Sequence, residues 1–373
     1  MKKLSLVLTA MLFAMFIFTS CQKDNNFDKN ALPSTFKVDI PDAISSKNVQ
    51  KSAKVDQLSG DEIYQHLRFF IAVGEGAADI VQDLIWGIAT YDLDKAMSFS
   101  YTSDDDGRVK NLNVIENVQY NGKNWAFQLT ISDALEEGGD HNGIGLQIFW
   151  NNNPIDGISI LYPYNVNRSD TAEAWTKGMF LIEYSETGEY GYEKSMIVSI
   201  AELPLLGVDE YEMSSLKMFV GKNGDVVDVY GNSAHPNATL FNGGNGFDWA
   251  FVASGNQISD LAVAEVGLPA YNLDQSSREI LLKDNSIHNV FSTLISDWYF
   301  QEYGSEIDSL TLAAYLENVQ APGFFNKDGF IGSGTAPTSD FDVLISNINA
   351  LSPFNPLSIA NLSIVFKDEY LAN

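Results

Sequence analysis

From Ala96 onward the apolar positions of this chain recur at every second residue. Met97, Phe99 and Tyr101 alternate with Ser98, Ser100 and Thr102, and Trp125, Phe127, Leu129 and Ile131 alternate with Ala126, Gln128 and Thr130. A period of two is that of a β-strand with one dry and one wet face. The pattern returns at Leu112–Tyr120, Ile144–Trp150, Ile158–Tyr162, Phe180–Tyr184, Met196–Ile200, Leu216–Val220, Val227–Val229, Trp249–Phe251 and Leu261–Val263. About eleven strands are therefore expected across 96–267. Asp104-Asp105-Asp106-Gly107, Asn121-Gly122, Asp156-Gly157, Thr187-Gly188, Asn223-Gly224 and Gly255-Asn256 supply the positive-φ residues of short turns, so the strands should form an antiparallel meander. Two longer connections fall at 165–177 and 201–211, the first with a short helix expected around 171–176.

On either side of this block the period lengthens to that of a helix. Ser59-Gly60-Asp61-Glu62 has the form of a capping box, and Ile63, Leu67, Phe70, Ile71, Ile80, Val81, Leu84, Ile85 and Ile88 form a stripe interrupted by Gly74 and Gly76. One kinked helix or two stacked ones are expected over 60–91. Helices are expected again over 274–350, where Ile287, Val290, Phe291, Leu294, Ile295 and Trp298 share a face, Ser305-Glu306-Ile307-Asp308 opens a second helix and Ser339-Asp340-Phe341-Asp342 a third. The Pro- and Gly-rich segment 321–337 reads as a loop, and the alternation of Leu362, Ile364 and Phe366 as a terminal strand over 361–367. Strands that are apolar on one face only must cover that face. The expected fold is α+β: a large curved antiparallel meander sheet, a partly open barrel, with helices covering its apolar face, all in a single domain over 60–373. In leading helix, strand count and mid-sheet interruption, 60–270 loosely resembles the half-barrel of periplasmic lipoprotein carriers and lipid-binding lipoproteins, which implies an apolar or amphiphilic ligand in the half-barrel.

The first residues carry an address. Met1-Lys2-Lys3 is followed by an almost wholly apolar run, Leu4–Phe18, and then by Thr19-Ser20-Cys21, the only cysteine of the chain. Fifteen apolar residues fall short of the roughly 20 that cross a bilayer as a helix. The segment resembles the signal peptide and lipobox of bacterial lipoproteins, with Phe18 where Leu is usual. The resemblance implies removal of 1–20 and lipidation at Cys21, and hence a membrane partner. Gln22-Lys23-Asp24-Asn25 lacks the Asp after the cysteine that retains lipoproteins in the inner membrane. It partly resembles the Lys-plus-acidic export signal of Bacteroidota surface lipoproteins, which implies the outer membrane and the cell surface. Residues 21–59 read as the lipidated cysteine and a flexible tether, polar enough to span roughly 35 Å as a coil.

Charge and chemistry narrow the function. The chain has 22 basic and 49 acidic residues, a formal charge of −27 that loss of Lys2 and Lys3 deepens. Nucleic acid is excluded as a partner, because phosphate binding needs clustered Lys and Arg. With Cys21 lipidated, neither a disulfide nor a thiol nucleophile remains. His66, His141, His235 and His288 show no metal-ligand spacing. Gly231-Asn232-Ser233-Ala234-His235 lacks the final Gly of a nucleophile elbow and reads as a polar loop. Asp104–Asp106 and Gly138–Asn142 lack a full calcium-loop spacing, and Asn242–Gly246 lacks the Lys and helix of a phosphate cradle. No catalytic residue, metal ligand or cofactor is therefore assigned. Asp170-Thr171-Ala172 and Asp308-Ser309-Leu310 look like the O-glycosylation acceptor of Bacteroidota, which marks Thr171 and Ser309, although both also fit helix starts. Trp125, Trp150, Trp249 and Tyr162 belong to the core pattern. The expected function is non-enzymatic binding of an apolar or amphiphilic ligand; the alternative is a glycan- or protein-binding surface module using the loops Gly138–Asn142 and Asn242–Gly246.

Overall fold

The computed structural model describes residues 33–47, 60–89, 96–169, 175–205, 212–238, 246–268, 278–353, 359 and 362–367. Thirteen strands form one open antiparallel sheet and follow one another in it in sequence order. They are β1 (Met97–Thr102), β2 (Val109–Tyr120), β3 (Lys123–Asp133), β4 (Ile144–Asn152), β5 (Ile155–Leu161), β6 (Met179–Ser185), β7 (Lys194–Ala201), β8 (Ser215–Asn223), β9 (Val226–His235), β10 (Phe247–Asn256), β11 (Leu261–Gly267), β12 (Gly323–Asn326) and β13 (Gly329–Ser333). The α+β meander is the one the alternation predicts, with two strands more. β12 and β13 lie in the segment expected to be a loop, because their short Phe-Phe and Phe-Ile runs are broken by Gly and escape a periodicity count. Asn121 and Gly122 both take positive φ, 52° and 74°, in the tight turn between β2 and β3.

The helices are α1 (Gly60–Ala89), α2 (Pro163–Val166), α3 (Ile287–Tyr303), α4 (Ser309–Tyr315) and α5 (Asp342–Ile348), with a π-helical turn at Glu279–Asp284. α1 is one uninterrupted helix, neither kinked nor split at its glycines. Gly74 is there for close approach, since a Cβ would lie 2.4 Å from Met218 Cε and 2.9 Å from Leu216 Cδ2 on β8. Ser59 and 171–174, where a cap and a short helix are expected, lie outside the described residues. The terminal strand is not formed among 362–367. That segment meets the sheet through side chains, Tyr120 Oη donating to Val365 O at 3.3 Å and Lys367 N donating to Gln147 Oε1 at 2.8 Å.

The chain divides into two compact units, one from residues up to Lys37, Gly76–Leu206 and Ser363 onward, the other from Val38–Glu75 and Gly207–Leu362. In the first, β4 and β5 are buried along nearly their whole length rather than on one face. The register explains it. Ile148 and Trp150 face Ser159 and Gly157, whereas Ile158 and Ile160 face Phe149 and Gln147. Directly opposed residues share a face, so the apolar sets of the two strands lie on opposite sides of the sheet. Phe36 covers one side: its ring stacks on Tyr184 at 5.7 Å and its amide donates to Gln82 Oε1 of α1. On the other side Phe149 stacks on Tyr120 at 4.2 Å, next to segment 362–367.

In the second unit the sheet has two covers. α1 lies on one face, with Phe70 against Trp249 (5.3 Å) and His235 (4.5 Å) and Tyr64 against Phe325 and Phe330. On the other, Leu281, Leu282, Phe341, Leu344 and Ile348 pack onto Ala250, Val252, Val263 and Phe324. The C-terminal helices thus cover the face that α1 leaves bare, and the expectation of a single covered face is corrected.

Residues 33–47 correct the tether reading. Phe36, Val38, Ile40, Ala43 and Ile44 are all buried. Ser45 Oγ donates to Glu75 Oε2 and Arg68 Nη2 to Asp42 O, at 2.5 and 2.7 Å. A polar average over 22–59 hides this short apolar alternation. Gly157 accepts Phe36 only because it lacks a side chain, as a Cβ would lie 2.6 Å from the ring and 2.7 Å from Phe149 O. Gly157→Ala is expected to cost about 1–3 kcal/mol in urea unfolding, the range for overpacking a tight site.

Asp248, the second residue of β10, lies opposite Ala234, 6% exposed, with no hydrogen-bond partner for its Oδ2 among the described residues. Burial raises its pKa from 3.8 to about 7. Below pH about 4 the group is protonated folded or unfolded. Between about 4 and 7 only the unfolded chain releases the proton, so stability falls as pH rises through that window and levels off above it. Asp248→Asn should remove this slope. Relative to the parent, its unfolding free energy should rise by on the order of 2–3 kcal/mol between pH 5 and pH 8.

Candidate functional site

The hairpin turn at Asn121-Gly122 leads into Lys123 and Trp125, both of which line a cleft of about 130 Å³. Asp156, Ser185 and Ser195 are opposed in register across β5, β6 and β7, as are Ile158, Glu183 and Ile197, so each row lines one face. The β6–β7 turn, with positive φ at Gly188 and Gly191, adds Glu189 and Tyr190 to the rim. Lys123 pairs with Asp156 and sits 4.8 Å over the ring of Trp125, whose Nε1 donates to Tyr120 O at 3.2 Å. Trp125 is thus held as the floor, and Tyr190, 47% exposed, is the aromatic face open to solvent. Burial, followed by the carboxylates of Glu189, Glu183 and Asp156, pushes the Tyr190 phenol up. The ring keeps its proton and remains a hydrogen-bond donor among acceptors. Three carboxylates against one lysine, with an aromatic face beside them, suit a ligand that donates hydrogen bonds and offers an apolar flank. The volume lies under the roughly 300 Å³ at which enclosing pockets begin, the scale of one ring and not of an acyl chain.

Elsewhere the residues singled out in the sequence serve the fold. Asp106, from the acidic turn without a full calcium-loop spacing, has its carboxylate filled from within: Lys110 Nζ donates at 2.8 Å, Arg168 N at 2.9 Å and Arg108 N at 3.0 Å. Lys110 also reaches Asp133 Oδ2 (2.9 Å) and Asn165 O (3.1 Å), while Arg108 binds Asp133 through two nitrogens and Glu136 through one. Burial pushes Asp133 up, but the hydrogen bonds from Arg108, Lys110 and Leu135 N outweigh it and hold its pKa at about 2. Among the described residues no group of three His, Cys, Asp or Glu is placed to hold a metal ion.

Ser233 and His235 are not in a loop but on β9, Ser233 Oγ 2.8 Å from His235 Nε2. Both are buried, and His235 is closed in by Phe70 and Trp249, so the pair has no access to a substrate. In the loop Gly138–Asn142, His141 and Asn142 take positive φ, and the His141 ring meets Tyr162 (5.1 Å) and Phe366 (5.5 Å). That loop fastens the chain's own C-terminal segment. Ser309 is exposed at the first position of α4, next to Asp308, which caps the helix by accepting from Leu310 N and Thr311 N. Cys21, Thr171 and 239–245 lie outside the described residues. Trp125, Trp150, Trp249 and Tyr162 are buried as the alternation predicts.

Of the cleft residues, Trp125 reads in the sequence as core and Asp156 as a turn residue, while Lys123, Glu189 and Tyr190 are not singled out. Glu183 gave the one hint, an acid alternating into a strand whose neighbours on either side are Ile182 and Tyr184. Among the described residues no helix is long and apolar enough to cross a membrane. Comparison with protein-family models, curated proteins and solved structures finds no match to this chain.

Lys110 is 1% exposed and bridges two carboxylates, so Lys110→Met leaves the buried Asp106 carboxylate without its cation while Asp133 keeps Arg108. Denaturant unfolding should show a loss of roughly 3–5 kcal/mol. The double variant Lys110→Met/Asp106→Asn should recover part of it.

Proposed function

We propose that the chain is a lipid-anchored outer-membrane protein displayed at the cell surface, that it is non-enzymatic, and that it binds a hydroxyl-rich ligand, a glycan residue, in the Tyr190 cleft. The observation that carries the binding role is the half-exposed Tyr190 ring set among Glu183, Glu189 and Asp156, with Lys123 opposite. Sugar rings present an apolar face that stacks on an aromatic ring and hydroxyls that donate to carboxylates. The lysine supplies a donor to the ring oxygens. The anchor reading rests on Lys2-Lys3, the apolar run Leu4–Phe18 and Cys21.

A glycan is favoured over the apolar ligand of a half-barrel because both unit interiors are filled by the chain itself. Phe36, Trp150, Trp175 and Tyr184 in one, and Phe70, Trp249, Phe251 and Phe325 in the other, are each at most 2% exposed. Binding to an array of surface polysaccharide fragments is expected, with affinity reduced at least about tenfold by Tyr190→Ala and by Glu183→Gln. Array binding unchanged in both variants, or recovery of one bound lipid per chain on solvent extraction, would overturn the reading.

A further inference from the structure

Helix α3 has seventeen residues, of which only Ile287 and Phe291 are buried. The stripe that the sequence directs inward is only half-buried at Leu294 and Ile295 and emerges into solvent at Trp298. Trp298, Phe300 and Tyr303 are 47, 57 and 60% exposed, and Leu310 on α4 is 82% exposed. The aromatic rings are mutually braced. Trp298 meets Tyr299, Tyr303 and Tyr315 at 6.1–6.4 Å, and Tyr299 meets Tyr303 at 4.6 Å. Single exposed apolar residues are ordinary, but a braced group on two adjoining helices is a contact surface.

The charge of this segment constrains the occupant. Between Lys283 and Lys327 the chain has no Lys or Arg, while Asp284, Asp297, Glu302, Glu306, Asp308 and Glu317 fall in that interval. We propose that the α3–α4 face docks a partner polypeptide that presents an apolar strip bordered by Lys or Arg. Such a partner places aliphatic groups on Trp298, Tyr303 and Leu310, its cations over the Tyr and Trp faces and against the acidic residues. A second copy of this chain fits poorly, because the patch has no basic residue to meet its own acids and each chain carries −27. This surface is separate from the Tyr190 cleft and does not depend on the glycan reading.

The test titrates the full chain with a labelled short amphipathic peptide of leucine and arginine, read by fluorescence anisotropy at about 150 mM salt, where diffuse attraction is screened. Saturable binding is expected, weakened at least about tenfold in Trp298→Ser/Phe300→Ser/Tyr303→Ser and also in Leu310→Ser, which alters a fully solvated side chain. Charge reversal in Asp297→Lys/Glu302→Lys should weaken it as well. Equal binding by the parent and the aromatic variants overturns the proposal, because net charge alone then explains the peptide. So does a concentration-dependent dimer in sedimentation that the triple variant abolishes, which assigns the face to a second copy. Binding to phosphatidylcholine vesicles that the same variant abolishes assigns it to lipid and likewise overturns it.

Discussion

A long meander of hairpins presents two faces to water, and the backbone ladder does nothing to hide the side chains on either. Burying both faces is the constraint to which the rest of this structure answers. In one unit the solution is a pair of thin covers, Phe36 with α1 on one side and the segment 362–367 on the other. In the other it is a helix on each face, α1 through Phe70 and Tyr64, and the C-terminal layer through Leu281, Phe341 and Leu344. Some of these covers come from far along the chain, as 362–367 does on β2 and β4, and others from close by, as Leu281 does on β11. The close approaches they need are met by small residues, Gly74 under α1 and Gly157 under Phe36.

Much of this was legible in sequence because period-two alternation is a strong local signal. Eleven of the thirteen strands and the tight turn at Asn121-Gly122 follow from it. Several of the misses share a cause. Which face of a strand is covered is decided by register, and register is not local. The β4–β5 ladder sets Ile158 against Phe149 and not against Ile148, so two equally apolar strands face opposite ways. The same blindness hid 33–47, whose burial depends on partners at 68, 75, 82 and 157, and made α3 read as a core helix although only its Ile287 and Phe291 are buried. The cleft was less legible still, since Lys123, Asp156, Glu183 and Tyr190 come from four separate positions in sequence and meet only through the ladder.

The acidic excess is handled in two ways. Where carboxylates are buried with cations, as in the Asp106–Lys110–Asp133–Arg108–Glu136 group, they are almost completely hydrogen-bonded and become part of the framework. Such groups fix geometry more than they add net stability, since desolvation offsets most of their attraction. Where carboxylates remain near solvent, at the Tyr190 rim and around α3, they give the surface its chemical character. The basic residues are few, and several of them are used inside. What is left outside is predominantly acidic.

The packing of Phe36, Val38 and Ile44 has a geometric corollary for a chain acylated at Cys21. Pro33, where the described residues begin, is only twelve peptide units from Cys21, and twelve units reach at most roughly 40 Å. Acylation there would hold the buried segment 33–47, and the strands it covers, within that distance of the bilayer.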